Sequence, residues 1–265
     1  MIPAVYNRPY GSMDKEDLHL TNLSAGAQLI QQPRLVGSGV QMMVTGEALS
    51  PRDASTIYAE VARFGYTGFS MIPGGAQIAS ANGATLVALT GSGWQFIQDL
   101  SRSAGFEPAI DQMDVTIRAF MSKFPGARLA GHSVELTARW DNVDTGSADR
   151  YIAGRFLKDE VGRVAEFDDL SYEGTGLRLH FTRRSRDEVP GNVQILGPTG
   201  QPQPPLDQFD IRIEPLFNDR SKVFLQVTGI FGVPSDDLKL VTARARDVYD
   251  LLYNRFADKM TMEVR

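Results

Sequence analysis

The chain has 265 residues, a formal net charge of -5 and no cysteine. This length is enough to close a hydrophobic core without disulfides or a structural metal. Hydrophobic residues make up 42% and charged residues 22%, which excludes a disordered tail, and the net charge of -5 excludes a basic nucleic-acid-binding protein. Nucleic-acid binding is therefore not expected. Without cysteine there is no disulfide scaffold, no thiolate metal site and no cysteine nucleophile, and a reducing cytoplasm is the expected compartment.

Residues 1–34 are predicted to form an extended N-terminal arm that ends at Gln32-Pro33. Pro3 and Pro9 interrupt its first ten residues, and no continuous apolar core follows, so the arm is not expected to be a signal peptide. No stretch of the chain reaches the roughly 20 apolar residues that cross a bilayer. We therefore predict no membrane partner.

A strand is predicted over residues 35–44, followed by a helix. Ser50 stands in the N-cap position, Pro51 in the first helical position and Asp53 in the first turn, which is typical of a helix start. Apolar residues then recur every three or four positions up to Ala62, which indicates one buried helix face.

The segment from Phe64 to Gln98 contains no Asp, Glu, Lys or Arg. Three short strands are predicted there, over residues 68–72, 85–89 and 94–98, with glycine-rich turns around them. Because proteins normally guard sheet edges and exposed faces with charge, this segment is either buried by the rest of the chain or covered by another chain. In the second case we expect partner contacts at four residues: Phe69, Met71, Trp94 and Phe96.

The rest of the chain alternates between helical and strand patterns in runs. Helices are predicted from Pro108 to residue 124, over 148–157, and as a long terminal helix capped by Ser235. Strands are predicted over residues 128–140, 177–182, 192–196, 209–217 and 222–231. Runs of this kind favour an α+β fold with largely antiparallel sheets packed by helices. The pattern also admits two similar α+β halves: residues 35–145, with the charge-poor strands, and residues 146–265, ending in the long helix.

Asp144-Thr145-Gly146-Ser147 resembles the D-T/S-G-S/A signature of the aspartic proteases, in which two aspartates share one proton and activate a water. Residues 195–197, Ile-Leu-Gly, resemble the apolar-apolar-Gly motif of the single-lobe, retroviral-type enzymes. The motif occurs once, so a homodimer would have to supply the second aspartate. Asn142 departs from the usual apolar lead-in, and a helix is predicted directly after the motif. The alternative is a turn in which Ser147 caps that helix.

The remaining chemistry-bearing residues predict no cofactor and no metal site. The histidines His19, His132 and His180 are far apart in sequence. His132 is expected on the inward face of its strand and His180 on a polar face. Arg183, Arg184 and Arg186 form a basic cluster, but Asp187 and Glu188 follow at once, which limits any phosphate contact. No phosphate-binding loop and no dinucleotide-binding glycine motif is present.

The order of these elements resembles that of a sporadically distributed family of uncharacterised bacterial proteins of similar length. The likeness is carried by the early strand and helix (35–64), Trp94-x-Phe96 leading to a helix, the strand over 128–140, and the closing hairpin and helix to Phe256. It implies an α+β fold, a soluble cytoplasmic protein and an unassigned role. The patchy distribution of that family suggests an accessory gene linked to defence or mobile elements. The resemblance carries no functional residues.

These observations predict a non-enzymatic bacterial interaction or assembly protein. It would act through contacts with another protein or with itself, and a homo-oligomer is expected. The alternative is a homodimeric aspartic protease that uses Asp144.

Overall fold

A computed structural model of the chain describes residues 32–45, 49–91, 93–103, 105–124, 128–141, 147–156, 176–184, 201, 206–232, 235 and 237–257. In chain order, the elements are β1 (Arg34–Val44), α1 (Pro51–Val61), β2 (Tyr66–Ile72), β3 (Gly75–Ser80), β4 (Thr85–Thr90), β5 (Gly93–Asp99), α2 (Phe106–Met121), β6 (Leu129–Trp140), α3 (Ala148–Phe156), β7 (Leu177–Arg184), β8 (Leu206–Leu216), β9 (Asp219–Phe231), α4 (Lys239–Asp250) and a π-helix (Leu251–Ala257). Short 3₁₀ turns follow α1 and β5.

The nine strands of the described residues form one antiparallel sheet in the order β2-β3-β4-β5-β1-β6-β9-β8-β7. This sheet and its helices confirm the predicted α+β fold class. The strand predicted over residues 192–196 lies outside the described residues, as does the N-terminal arm before residue 32.

A similar order of elements occurs twice in the described part of the chain, with four meander strands in the first unit and three in the second. In each case a first strand and a helix are followed by a meander and a second helix: β1-α1-β2 to β5-α2, and β6-α3-β7 to β9-α4. The last meander strand pairs with the first strand each time, β5 with β1 and β9 with β6. β1 and β6 pair with each other around Val40 and Val134. The second unit of this repeat begins with β6, so it starts before the expected division at residues 145 and 146. The two units share one sheet, and one hydrophobic cluster runs through both.

The buried side chains of the strands share one face of the sheet, and the helices cover that face. Trp94, Met42, His132 and Phe231 lie opposite one another across β5, β1, β6 and β9. The expected inward position of His132 is confirmed, and every second residue of β6 is buried with it: His132, Val134, Leu136, Ala138 and Trp140. α2 and α4 meet on this face through the stacked rings of Phe106 and Tyr249, whose centroids are 4.4 Å apart.

The helix starts follow local capping only in part. At α1, the Asp53 N–H donates to Ser50 Oγ and the Ser50 N–H donates to Asp53 Oδ2, a capping box. α2 begins at Phe106, two residues before the predicted Pro108. α4 begins at Lys239 rather than after Ser235. Instead, the Leu129 N–H donates to the Ser235 carbonyl oxygen at 2.8 Å, and the Ser235 N–H donates to the Leu129 carbonyl oxygen at 2.9 Å. These two bonds hold Ser235 beside the sheet.

One glycine sets how closely α4 approaches the sheet. Gly229 lies on the helix-covered face of β9, opposite Val134 and Phe209. A Cβ atom at this position would lie 2.7 Å from Val248 Cγ2. Since real side chains do not approach so closely, glycine here lets Val248 of α4 pack directly on the strand.

Candidate interaction surface

The charge-free segment forms the β2–β5 meander and places β2 at one edge of the sheet. β3 pairs with β2 on one side, and among the described residues no strand pairs with its other side. β2 reads Tyr-Thr-Gly-Phe-Ser-Met-Ile and has no charged residue. An unpaired edge strand presents a row of free backbone N–H and C=O groups to another chain.

The two edges of the sheet differ sharply in how they are protected. The opposite edge strand, β7, carries Arg178, Arg183, Arg184 and His180 within eight residues. Charged side chains on an edge oppose pairing with another strand, because pairing would remove them from water. By this measure β7 is guarded against strand addition and β2 is not.

The turn after β2 shows which of its backbone groups face outward. Pro73 and Gly74 connect β2 to β3, and Gly74 has a φ of 76°, as the third residue of a type II turn requires. Ile72 and Gly75 close this two-residue loop. The closing pair of such a hairpin is hydrogen-bonded, and the pairs then alternate. Residues 72 and 70 therefore bond β3, while the N–H and C=O groups of Phe69 and Met71 point away from the sheet.

The four predicted contact residues fall into two groups. Met71 is 50% exposed, and Phe69 is half-buried against the ring of Tyr58 on α1, with centroids 5.0 Å apart. Trp94 and Phe96 are each 1% exposed, because their strand β5 has neighbours on both sides and both side chains point toward the helices. The prediction of partner contacts at Trp94 and Phe96 is therefore corrected: they belong to the core of their own chain.

Tyr58 also limits the part of β2 that is free to pair with another chain. Its hydroxyl donates to the Thr67 carbonyl oxygen at 3.1 Å. Because one lone pair of that carbonyl is engaged by the side chain, the part of β2 best suited to pair with another chain runs from Gly68 to Ile72. Phe64, just before β2, adds exposed apolar surface beside this edge.

The D-T-G-S motif and the metal-ligating side chains are the other candidates for chemistry. Asp144 lies outside the described residues, so the D-T-G-S hypothesis stays a prediction. α3 does begin four residues later, at Ala148, as predicted. In residues 32–257 with their gaps, no group of three or more metal-ligating side chains is placed to hold a metal ion.

His132, His180 and Arg183 each have their own surroundings and do not form one cluster. His132 is buried against Phe231, and burial, with a smaller contribution from the Arg244 charge, lowers its pKa to about 4. His180 lies on the opposite face of the sheet, with Nδ1 3.1 Å from Asp210 Oδ1. Arg183 is held by acidic groups rather than presented to a phosphate, since it pairs with Asp207 and Asp247.

No protein-family model matches the chain, and no curated protein matches it. The resemblance stated from the sequence therefore stays a prediction, together with the bacterial, defence-linked accessory role that it implies. Among the described helices, none is both long enough and apolar enough to cross a bilayer.

Proposed function

We propose that this protein is a non-enzymatic assembly protein that associates with a second copy of itself through the edge strand β2. The observation that carries the proposal is the unguarded edge. A seven-residue strand without charge stands at one edge of a sheet whose other edge carries three arginines and a histidine.

The backbone of β2 suits antiparallel pairing with its own copy. With Ser70 opposite Ser70 of the second copy, Phe69 lies opposite Met71 of that copy. Both residues direct their backbone groups outward, so the pair exchanges hydrogen bonds at both positions. The side chains of Phe69 and Met71 lie on the same face and would pack together across the junction, where sulfur–aromatic contact is favourable. No charge on β2 opposes this arrangement.

The test is the mass in solution by light scattering over a dilution series, with two matched variants. Met71→Lys places a charge on the free edge, and we expect it to convert the oligomer to a monomer. Ile97→Lys makes a similar change in the same charge-free segment, at a residue 43% exposed against 50% for Met71. Because β5 is paired on both sides, this control should keep the parent mass.

Met71→Pro gives a second variant, since it removes one outward N–H without touching the pairing of β2 with β3. A parent protein that stays monomeric at every concentration contradicts the proposal. So does an oligomer that Ile97→Lys dissociates and Met71→Lys leaves intact, which would place the contact on the open face of the sheet.

A further inference from the structure

A cavity of about 440 Å³ lies at the far end of the sheet from β2. It is open to solvent on one side and is bordered by the inner face of β7 and β8 and by the end of α4 with the π-helix. Phe181 and Phe209, opposite each other on the two strands, form one wall. Leu251 and Phe256 form the other. Ligand pockets in proteins have this size range and this mainly apolar lining.

The charges around the cavity are compensated by one another. Arg183 donates to Asp247 at 3.1 Å and to the buried Asp207 at 3.0 Å. Arg255 donates to Asp250 at 2.8 Å. A charged ligand that reached Arg183 would have to compete with its pair to the fully buried Asp207, which is costly, whereas the side chains of the Arg255–Asp250 pair are 59% and 43% exposed, so this pair costs little to break. The lining therefore favours an uncharged occupant.

The π-helix positions both residues of the second wall, Leu251 and Phe256, to face the cavity. In an α-helix, residues five apart point about 140° away from each other, so Leu251 and Phe256 could not line one cavity. The i to i+5 hydrogen bonds of a π-helix place residues five apart on nearly the same side. Both side chains face the cavity as a result. π-Helical segments are rare and often occur at functional sites.

We propose that this cavity binds an uncharged, largely apolar small molecule. Three independent features support the assignment: the apolar lining, the internal pairing of the charges and the π-helical winding that shapes one wall. The site lies at the opposite edge of the sheet from β2, and the proposal does not depend on self-association.

The experiment uses N-phenyl-1-naphthylamine, an uncharged apolar dye that fluoresces when it leaves water. We expect saturable binding with one dye per chain. Phe181→Asp places a charge in the cavity wall at a side chain already 49% exposed, and it should weaken binding at least tenfold. Phe217→Asp makes the same change at a phenylalanine 91% exposed and outside the cavity, and it should leave binding within twofold of the parent.

The sulfonated relative of the dye, 8-anilinonaphthalene-1-sulfonate, tests the preference for an uncharged molecule and should bind at least tenfold more weakly. Should Phe181→Asp fail to fold, Phe181→Ser and Phe217→Ser repeat the comparison with a milder change. Absence of saturable binding would overturn the proposal. Equal loss in both aspartate variants would also overturn it, because the dye would then bind elsewhere.

Discussion

Arg183 on the edge strand β7 donates through Nε to the carboxylate of Asp207 on β8, which lies directly opposite and is completely buried. The distance is 3.0 Å. The guanidinium also covers the ring of Phe209, with 4.8 Å from Cζ to the ring centroid. Through Asp247 the same arginine connects β7 to α4. A buried ion pair therefore attaches the edge strand to the core.

Removing one partner of this pair should cost more than removing both. Arg183→Leu leaves the fully buried carboxylate of Asp207 without this cation, and we expect the free energy of unfolding to fall by about 3 kcal/mol. The double variant Asp207→Leu with Arg183→Leu fills the space with apolar groups and should lose less than the single variant. Urea unfolding of both variants measures the difference. A double variant less stable than Arg183→Leu would contradict this account.

Stability should also depend on His132 in mildly acidic solution. Burial lowers the pKa of His132 from 6.5 to about 4 in the folded chain, and Arg244 lowers it further than Asp207 raises it. Between these two pH values the unfolded chain binds the proton and the folded chain does not. The free energy of unfolding therefore falls as the pH drops from about 6.5 to about 4, by about 3 kcal/mol from this residue.

The matched variant is His132→Phe, which keeps an aromatic ring against Phe231, 5.0 Å away in the parent. Urea unfolding at pH 7 and at pH 4.5 should show a smaller loss of stability in the variant than in the parent. Equal losses would mean that carboxyl groups alone produce the acid sensitivity.

The close approach of α4 to the sheet gives a third prediction. Gly229→Ala forces a methyl group to within 2.7 Å of Val248 Cγ2, and we expect a loss of about 1–3 kcal/mol in the free energy of unfolding. Gly232→Ala is the control, since no atom lies within 4 Å of a Cβ built there. Thermal unfolding compares the melting temperatures of the two variants. A Gly232→Ala variant that loses as much stability as Gly229→Ala would contradict this explanation.

The sequence predicts well where the deciding interactions are local. Ser50, Pro51 and Asp53 specify the start of α1 within four residues, and the alternation of β6 identifies its buried side chains. The terminal helix begins at Lys239, later than expected: Ser235 Oγ accepts from the Asp237 N–H at 3.0 Å, but the backbone of Ser235 pairs with Leu129, which is more than 100 residues earlier. The strand β3 was not predicted, because it consists mainly of small residues with one large apolar side chain, Ile78, and depends on pairing with β2 and β4.

The candidate interaction surface was predictable only in part, because its position in the sheet depends on pairing between distant strands. Absence of charge identified the segment, but the edge position of β2 follows from the pairing of β5 with β1, which makes β2 the outermost strand. Trp94 and Phe96 are two residues apart and therefore lie on one face of β5, but their spacing alone does not identify that face as the buried one.

Phe96 and Phe69 provide the last prediction, because the same substitution should act differently at the two sites. Phe96 is fully buried beside Val40 and Val87 in the centre of the sheet, so Phe96→Ala should cost about 3–5 kcal/mol in the free energy of unfolding. Phe69 is only half-buried, and Phe69→Ala should cost less while weakening self-association. Light scattering and urea unfolding on both variants separate the two effects. A Phe96→Ala variant that keeps the stability of the parent but no longer forms the oligomer would mean that Phe96 contacts the partner. That result would contradict its assignment to the core.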